Sequence, residues 1–135
     1  MTAPTDLEVQ AAVVARLRSF AGLTALVGQA VYDQPPADEP LPFVFIPNVE
    51  FRPIDADGCG GGDWIISLRV MSDYAGKAEV HRINGQIVAA LDKYPLPVDG
   101  WVMTRQIFKD AAADDQGVTE AGDVRFNIMA MTIGD

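Results

Sequence analysis

Trp64-Ile-Ile-Ser-Leu-Arg-Val-Met71, Ser72-Asp-Tyr-Ala-Gly-Lys77 and Ala78-Glu-Val-His-Arg-Ile-Asn-Gly-Gln-Ile-Val-Ala-Ala-Leu91 follow one another without a break. The first segment is apolar and rich in branched residues, the composition of a strand centre. Side chains alternate along a strand, so Trp64, Ile66, Leu68 and Val70 share one face. The third segment changes period. Val80, Ile83, Ile87 and Leu91 recur at three- and four-residue spacing, one stripe of a helix, which leaves His81 on its polar side. A strand that turns directly into an amphipathic helix supplies two layers that fold onto each other.

Working outward from this unit, Leu7, Ala11, Val14, Leu17 and Phe20 or Ala21 predict an N-terminal helical stripe. Thr5 or Asp6 serves as its cap, Glu8 sits in its first turn, and Arg16 and Arg18 face solvent. Gly22 can stop it, and Leu23–Val27 adds a short turn that ends at Gly28. Val31-Tyr32-Asp33 is long enough only for an edge strand or an extended link. Pro35, Pro36, Pro40 and Pro42 make 34–42 an extended, exposed loop, because proline lacks an amide donor and disfavours helix before it. A strand starts at Phe43 and runs toward Phe51, with Pro47 marking an edge or a bulge.

Asp55–Asp63 reads as a flexible loop of a wide hairpin. After the second helix, Tyr94-Pro-Leu-Pro97 blocks helical continuation. Trp101–Lys109 and Val124–Ile133 read as a third and a fourth strand, and 110–122 as a mobile arm between them. The expected order is α-β-β-α-β-β. That is an α+β two-layer sandwich, a mainly antiparallel four-stranded sheet with two helices on one face, and a single domain over 1–135.

The composition narrows the function. The 135 residues carry a net charge of -9, which disfavours a protein that tracks nucleic-acid phosphates. Cys59 is the single cysteine, so no internal disulfide forms and a reducing cytoplasm is expected. The N-terminus lacks the pattern of a signal peptide, and no apolar run approaches the ~20 residues that span a bilayer.

The residues that could carry chemistry fall short of it. Gly58-Cys-Gly-Gly-Gly62 lacks the Gly-Lys-Ser/Thr and the following helix of a P-loop. Asp55-Ala-Asp-Gly58 opens like a calcium loop, but the later oxygen ligands are missing. Cys59 with His81 is the one pairing of nucleophile and base available, and it is too few for zinc. Asp114, Asp115, Glu120 and Asp123 are carboxylates of an acidic chain that has many. No catalytic, cofactor or metal residue is assigned.

The last strand points elsewhere. Val124, Phe126, Ile128 and Ala130 form one face, and Arg125, Asn127, Met129, Met131 and Ile133 the other. Ile65 and Met71 likewise lie opposite the Trp64 set. A sheet with helices on one side should have one wetter face, yet both faces are partly apolar. Either the N-terminal helix covers part of the second face, or a partner subunit does.

Leu26-Val-Gly28, Val31-Tyr-Asp33, the proline-rich loop and Pro42-Phe-Val-Phe-Ile46 resemble the opening of the tail-completion proteins, or tail terminators, of long-tailed bacteriophages and gene transfer agents. The Trp-initiated strand, Ser72-Asp-Tyr-Ala-Gly76, Ala78-Glu79 and Ile87-Val-Ala-Ala-Leu91 are similar to the middle of that family. Asp115-Gln-Gly117, Thr119 and Val124-Arg-Phe126 resemble its last hairpin. Where the family often has an aromatic residue and then Ser-Arg, this chain has Met71-Ser-Asp73.

The resemblance implies a non-enzymatic virion protein without cofactors. It forms a ring, typically a hexamer, that caps the head-proximal end of the tail tube and stops its growth. Its partners are then its own copies, the tail tube protein and the head-tail connector protein, with DNA only passing through the lumen and no membrane involved; the net charge of -9 adds the expectation that this lumen is acidic. The residues expected at the subunit interface are Phe43, Phe45, Phe51, Ile65, Met71, Arg125, Met129 and Met131. The expected contact arms carry Pro35, Pro36, Gly60, Gly61, Asp114 and Asp115. A neighbouring connector protein (adaptor or stopper) and a small enzyme are the alternatives.

Overall fold

The computed structural model describes residues 6–56, 59–72, 77–94, 96, 101–116 and 119–132. In chain order the elements are α1 (Asp6–Ser19), α2 (Ala21–Val27), β1 (Val31–Tyr32), β2 (Phe43–Ala56), β3 (Cys59–Ser72), α3 (Ala78–Leu91), β4 (Trp101–Gln116) and β5 (Thr119–Thr132). The strands form one five-stranded sheet in the order β1-β2-β3-β5-β4. All neighbours are antiparallel except β1 and β2.

The α+β class and the helix layer agree with the sequence reading, while the element count differs. Val31–Tyr32 adds a fifth strand, parallel to β2 through Val31↔Val44 and Tyr32↔Phe45. Ala21–Val27 is a separate third helix, closed by Gly28 at φ 63 with its N–H donating to Thr24 O. Glycine holds that left-handed conformation at no steric cost.

The larger correction concerns the two arms. Most of Asp55–Asp63 is strand, because β2 and β3 stay paired down to Ala56↔Cys59. Residues 110–122 are also largely strand, with β4 and β5 paired out to Gln116↔Thr119. Their glycine, alanine and aspartate content reads as loop, but ladder hydrogen bonds supplied by a partner strand outweigh such propensities. Residues 57–58, 73–76 and 117–118 lie outside the described residues, as does the expected cap Thr5.

One core lies between sheet and helices. Trp64, Ile66, Leu68 and Val70 are fully buried, as are Val80, Ile83 and Ile87 of α3, and Val124, Phe126 and Ile128 join them from β5. The helical stripe of α1 differs from the expected one. Val9, Val13 and Leu17 point inward, whereas Leu7 is 70% exposed. Two stripes that share Leu17 compete on this helix, and packing in the common core selects the one through Val9 and Val13, with Val14 and Phe20 only partly buried against it. The valines of α1 belong to the same cluster as Trp64 and Ile83, so the N-terminal helix lies on the common helix side. It therefore does not cover the other face of the sheet.

Two glycines make room for close neighbours, Gly122 between sheet and helix and Gly62 within the sheet. A Cβ on Gly122 would lie 2.4 Å from Val80 Cγ1, beneath α3. A Cβ on Gly62 would lie 2.4 Å from Trp64 Cη2 and 2.7 Å from Phe51 Cε1.

Candidate functional site

Residues directly opposite each other on neighbouring antiparallel strands share a face. Met71 pairs with Phe43 and Ala121, Arg69 with Phe45 and Asp123, Ser67 with Arg125, Ile65 with Asn127, and Asp63 with Met129. Phe43, Phe45, Ile65, Met71, Arg125 and Met129 therefore lie together on the face away from the helices. Phe51 separates from the group. It pairs with Trp64 and packs against it with ring centroids 5.1 Å apart, which places it on the helix side at 40% exposure. The bulge between Phe45 and Asn48, at Pro47, explains this, since one extra residue reverses which side chains point outward. Met131 pairs with Gly61.

The open face also has a polar centre. Arg69 Nε donates to Asp123 Oδ1 at 2.9 Å. Arg125 Nε donates to Asp110 Oδ1 at 2.8 Å, and its Nη2 bonds Asp110 Oδ2. These hydrogen bonds from Arg125 hold the Asp110 carboxyl below the usual carboxylate range, and Asp110 in turn raises the Arg125 guanidinium. Asn127 adds bonds to the Asp63 carboxylate and to Trp64 O. Sequence reasoning misses these pairs. Alternation shows that Arg125 faces outward, but its partner depends on a bulge in β4, between Phe108 and Asp110.

The two sheet edges are each half closed. Along a strand, the N–H and C=O of one residue point to the same side, and successive residues alternate. Val44 N donates to Ala30 O at 2.9 Å, toward the β1 side. Carried across the ladders, this alternation makes Val49, Phe51, Pro53 and Asp55 face outward from β2, and Ala111, Ala113 and Asp115 outward from β4. Pro53, which has no N–H to offer, sits at such an outward position. On β4 the turn after α3 occupies the middle of the edge. Lys93 N donates to Gln106 O at 2.7 Å and Phe108 N to Asp92 Oδ1 at 3.0 Å. The side chain of Gln106 also donates to Leu91 O at 2.6 Å. Among the described residues, the stretches left free are therefore 48–56 on β2, past the pairing with β1, and 110–116 on β4.

The arm residues fall on these elements. Gly60 pairs with Asp55, Gly61 with Ile54, Asp114 with Ala121 and Asp115 with Glu120. Pro36 is exposed and Pro35 half-buried in the loop before β2, which the Tyr32 hydroxyl ties down by donating to Glu39 Oε1 at 3.0 Å. That bond, which favours the neutral phenol, raises the Tyr32 hydroxyl above its ordinary pKa. Cys59 opens β3, whereas exposed His81 lies in the helix that follows the far end of β3, so the strand separates them. Among the described residues, no cluster of His, Cys, Asp and Glu could hold a metal, and no helix is long and apolar enough to cross a membrane.

A profile of the family described as "Tail completion protein gp17" matches residues 11–132. Among solved structures, one chain of "Virion of native gene transfer agent (GTA) particle" is similar with a TM-score of 0.82 and 27% identity, covering 91% of this chain and 94% of that one. No curated protein matches.

Proposed function

This chain belongs to the tail completion protein gp17 family, and from that premise we propose that it forms a ring at the head-proximal end of a phage-like tail tube, ends tube growth and provides the joint to the head connector. Its role is structural, in the tail of a phage-like virion. Ring closure needs two different patches on each subunit, meeting head to tail. The observation that carries the reading is the sheet with two unlike, half-free edges: 48–56 on one side and 110–116 on the other. The open face, with Phe43, Phe45, Ile65, Met71 and Met129 around its ion pairs, supplies a second surface for copies of the chain or for the tube. The partners are the chain itself, as a hexamer, the tail tube protein and the head connector protein, with DNA crossing an acidic lumen.

Electron microscopy of particles produced without this chain tests the reading. Tails of uncontrolled length, unjoined to filled heads, are the expected result. Tails of normal length that fail to join would instead indicate an adaptor or stopper, and normal particles would remove the virion role.

A further inference from the structure

We propose that one subunit joins the next by antiparallel pairing of its 110–116 stretch with the 48–56 stretch of a second copy, with Arg52 opposite Asp114. The pairing rests on the ring reading and gives it a contact. Three features converge on it.

Direction comes first. The strand directions alternate from β2 through β3 and β5 to β4. Copies related by rotation about an axis along the strands therefore present β4 of one antiparallel to β2 of the next. The second feature is stagger. The 48–56 stretch lies toward the β2–β3 turn, at one end of the sheet, and the 110–116 stretch toward the β4–β5 turn, at the other. Level pairing is blocked by β1 on one edge and by the 92–93 turn on the other. A sheet closed on itself needs a fixed stagger and tilted strands, and the free stretches allow only a staggered join.

Charge and hydrogen bonding then select the register. Arg52 is exposed and, through its pairing with Asp63, lies on the open face; Asp114 shares that face by register with Ala121. Setting these opposite charges across from each other also sets Glu50 opposite Gln116. The outward-facing backbone of Phe51, Pro53 and Asp55 then meets that of Asp115, Ala113 and Ala111. Between 50–56 and 110–116 every outward edge group is satisfied except the partner of the amide that Pro53 lacks, and small Ala113 faces the proline ring. Opposite charges directly across a ladder favour a register and like charges disfavour it.

Charge exchange in the full chain tests this, read as assembly mass by native mass spectrometry, for the chain alone and on tails made without it. Arg52→Asp and Asp114→Arg should each lose assembly at least tenfold in concentration, and the double exchange should restore it. Ala113→Pro, which removes only an outward amide, should weaken assembly without unfolding the chain, and it covers the case in which a charge variant fails to fold. Wild-type rings with all variants equally assembled would overturn the pairing and leave the ring in place. A wild-type chain that stays monomeric both alone and on tails would overturn the ring itself.

Discussion

The guanidinium of Arg16 lies 3.5 Å from the ring centroid of Tyr94, so a residue of α1 and the chain just past α3 are clasped together. Its Nε also donates to Ala90 O at 2.8 Å, satisfying a carbonyl in the last turn of α3 that has no helical partner. The sequence pattern places Arg16 in solvent, yet it is half-buried. Arg16→Ala should cost about 1–2 kcal/mol, combining a cation–π contact with a hydrogen bond. Arg16→Lys should recover only part of this, because an ammonium has no planar face to stack on Tyr94. Denaturant melts of the three proteins check the order.

Three glycines should respond in opposite directions to the same substitution. Gly62→Ala and Gly122→Ala force a methyl against Trp64 and Val80, contacts that the core cannot relieve without moving a packed side chain or a helix. A loss of about 1–3 kcal/mol is expected for each. Gly85 lies exposed within α3, with open space where a methyl group would stand. Gly85→Ala should therefore stabilise by about 0.5–1 kcal/mol through helix propensity. Thermal melts of all three settle the signs.

These positions also show what the sequence can disclose. The β3–α3 unit is legible because its periods, two and then near 3.6, are carried by large apolar residues that have no other place to go. The arms are not, since Gly60, Gly61, Asp114 and Asp115 hold strand geometry through their hairpin partners Asp55, Ile54, Ala121 and Glu120, and their own residue types favour loop. Alternation counted without the bulge at Pro47 puts Phe51 on the open face, and the bulge moves it to the other. The α1 stripe misleads because two apolar stripes compete, and only packing against the sheet decides between them. For the candidate interface, most of the face is readable from alternation. The half-closed edges depend on the turn at Asp92 and Lys93, which no local pattern reveals.

Asp110 provides a pH test. Its folded-state pKa lies below the ordinary value because Arg125 hydrogen-bonds its charged form. The stabilisation is therefore present above the ordinary carboxylate pKa and is lost as pH falls through the lower, folded value. Both partners are about half exposed, so the effect should be small and should shrink further with salt. Asp110→Asn should flatten this part of the acid limb of stability. An NMR titration of the wild-type carboxyl that shows an unshifted midpoint would remove the explanation.

The ion pairs of the open face separate two apolar ends, Phe43, Phe45 and Met71 at one and Ile65, Ile107 and Met129 at the other. Each exposed pair contributes at most about 1 kcal/mol to folding, because water and salt screen it. Their larger effect is on association, since a continuous apolar face of this extent would be sticky. Replacing Arg69 and Asp123 together by Met and Leu should leave the melting temperature nearly unchanged, because no charge is left unpaired. The same double variant should sediment as larger, irregular species at concentrations where the wild-type chain does not. A variant that sediments like the wild type would show that the polar centre plays no part in keeping the face soluble. The single change Asp123→Leu separates the two effects: it strands the Arg69 charge on the face and should oppose association more than the double change does.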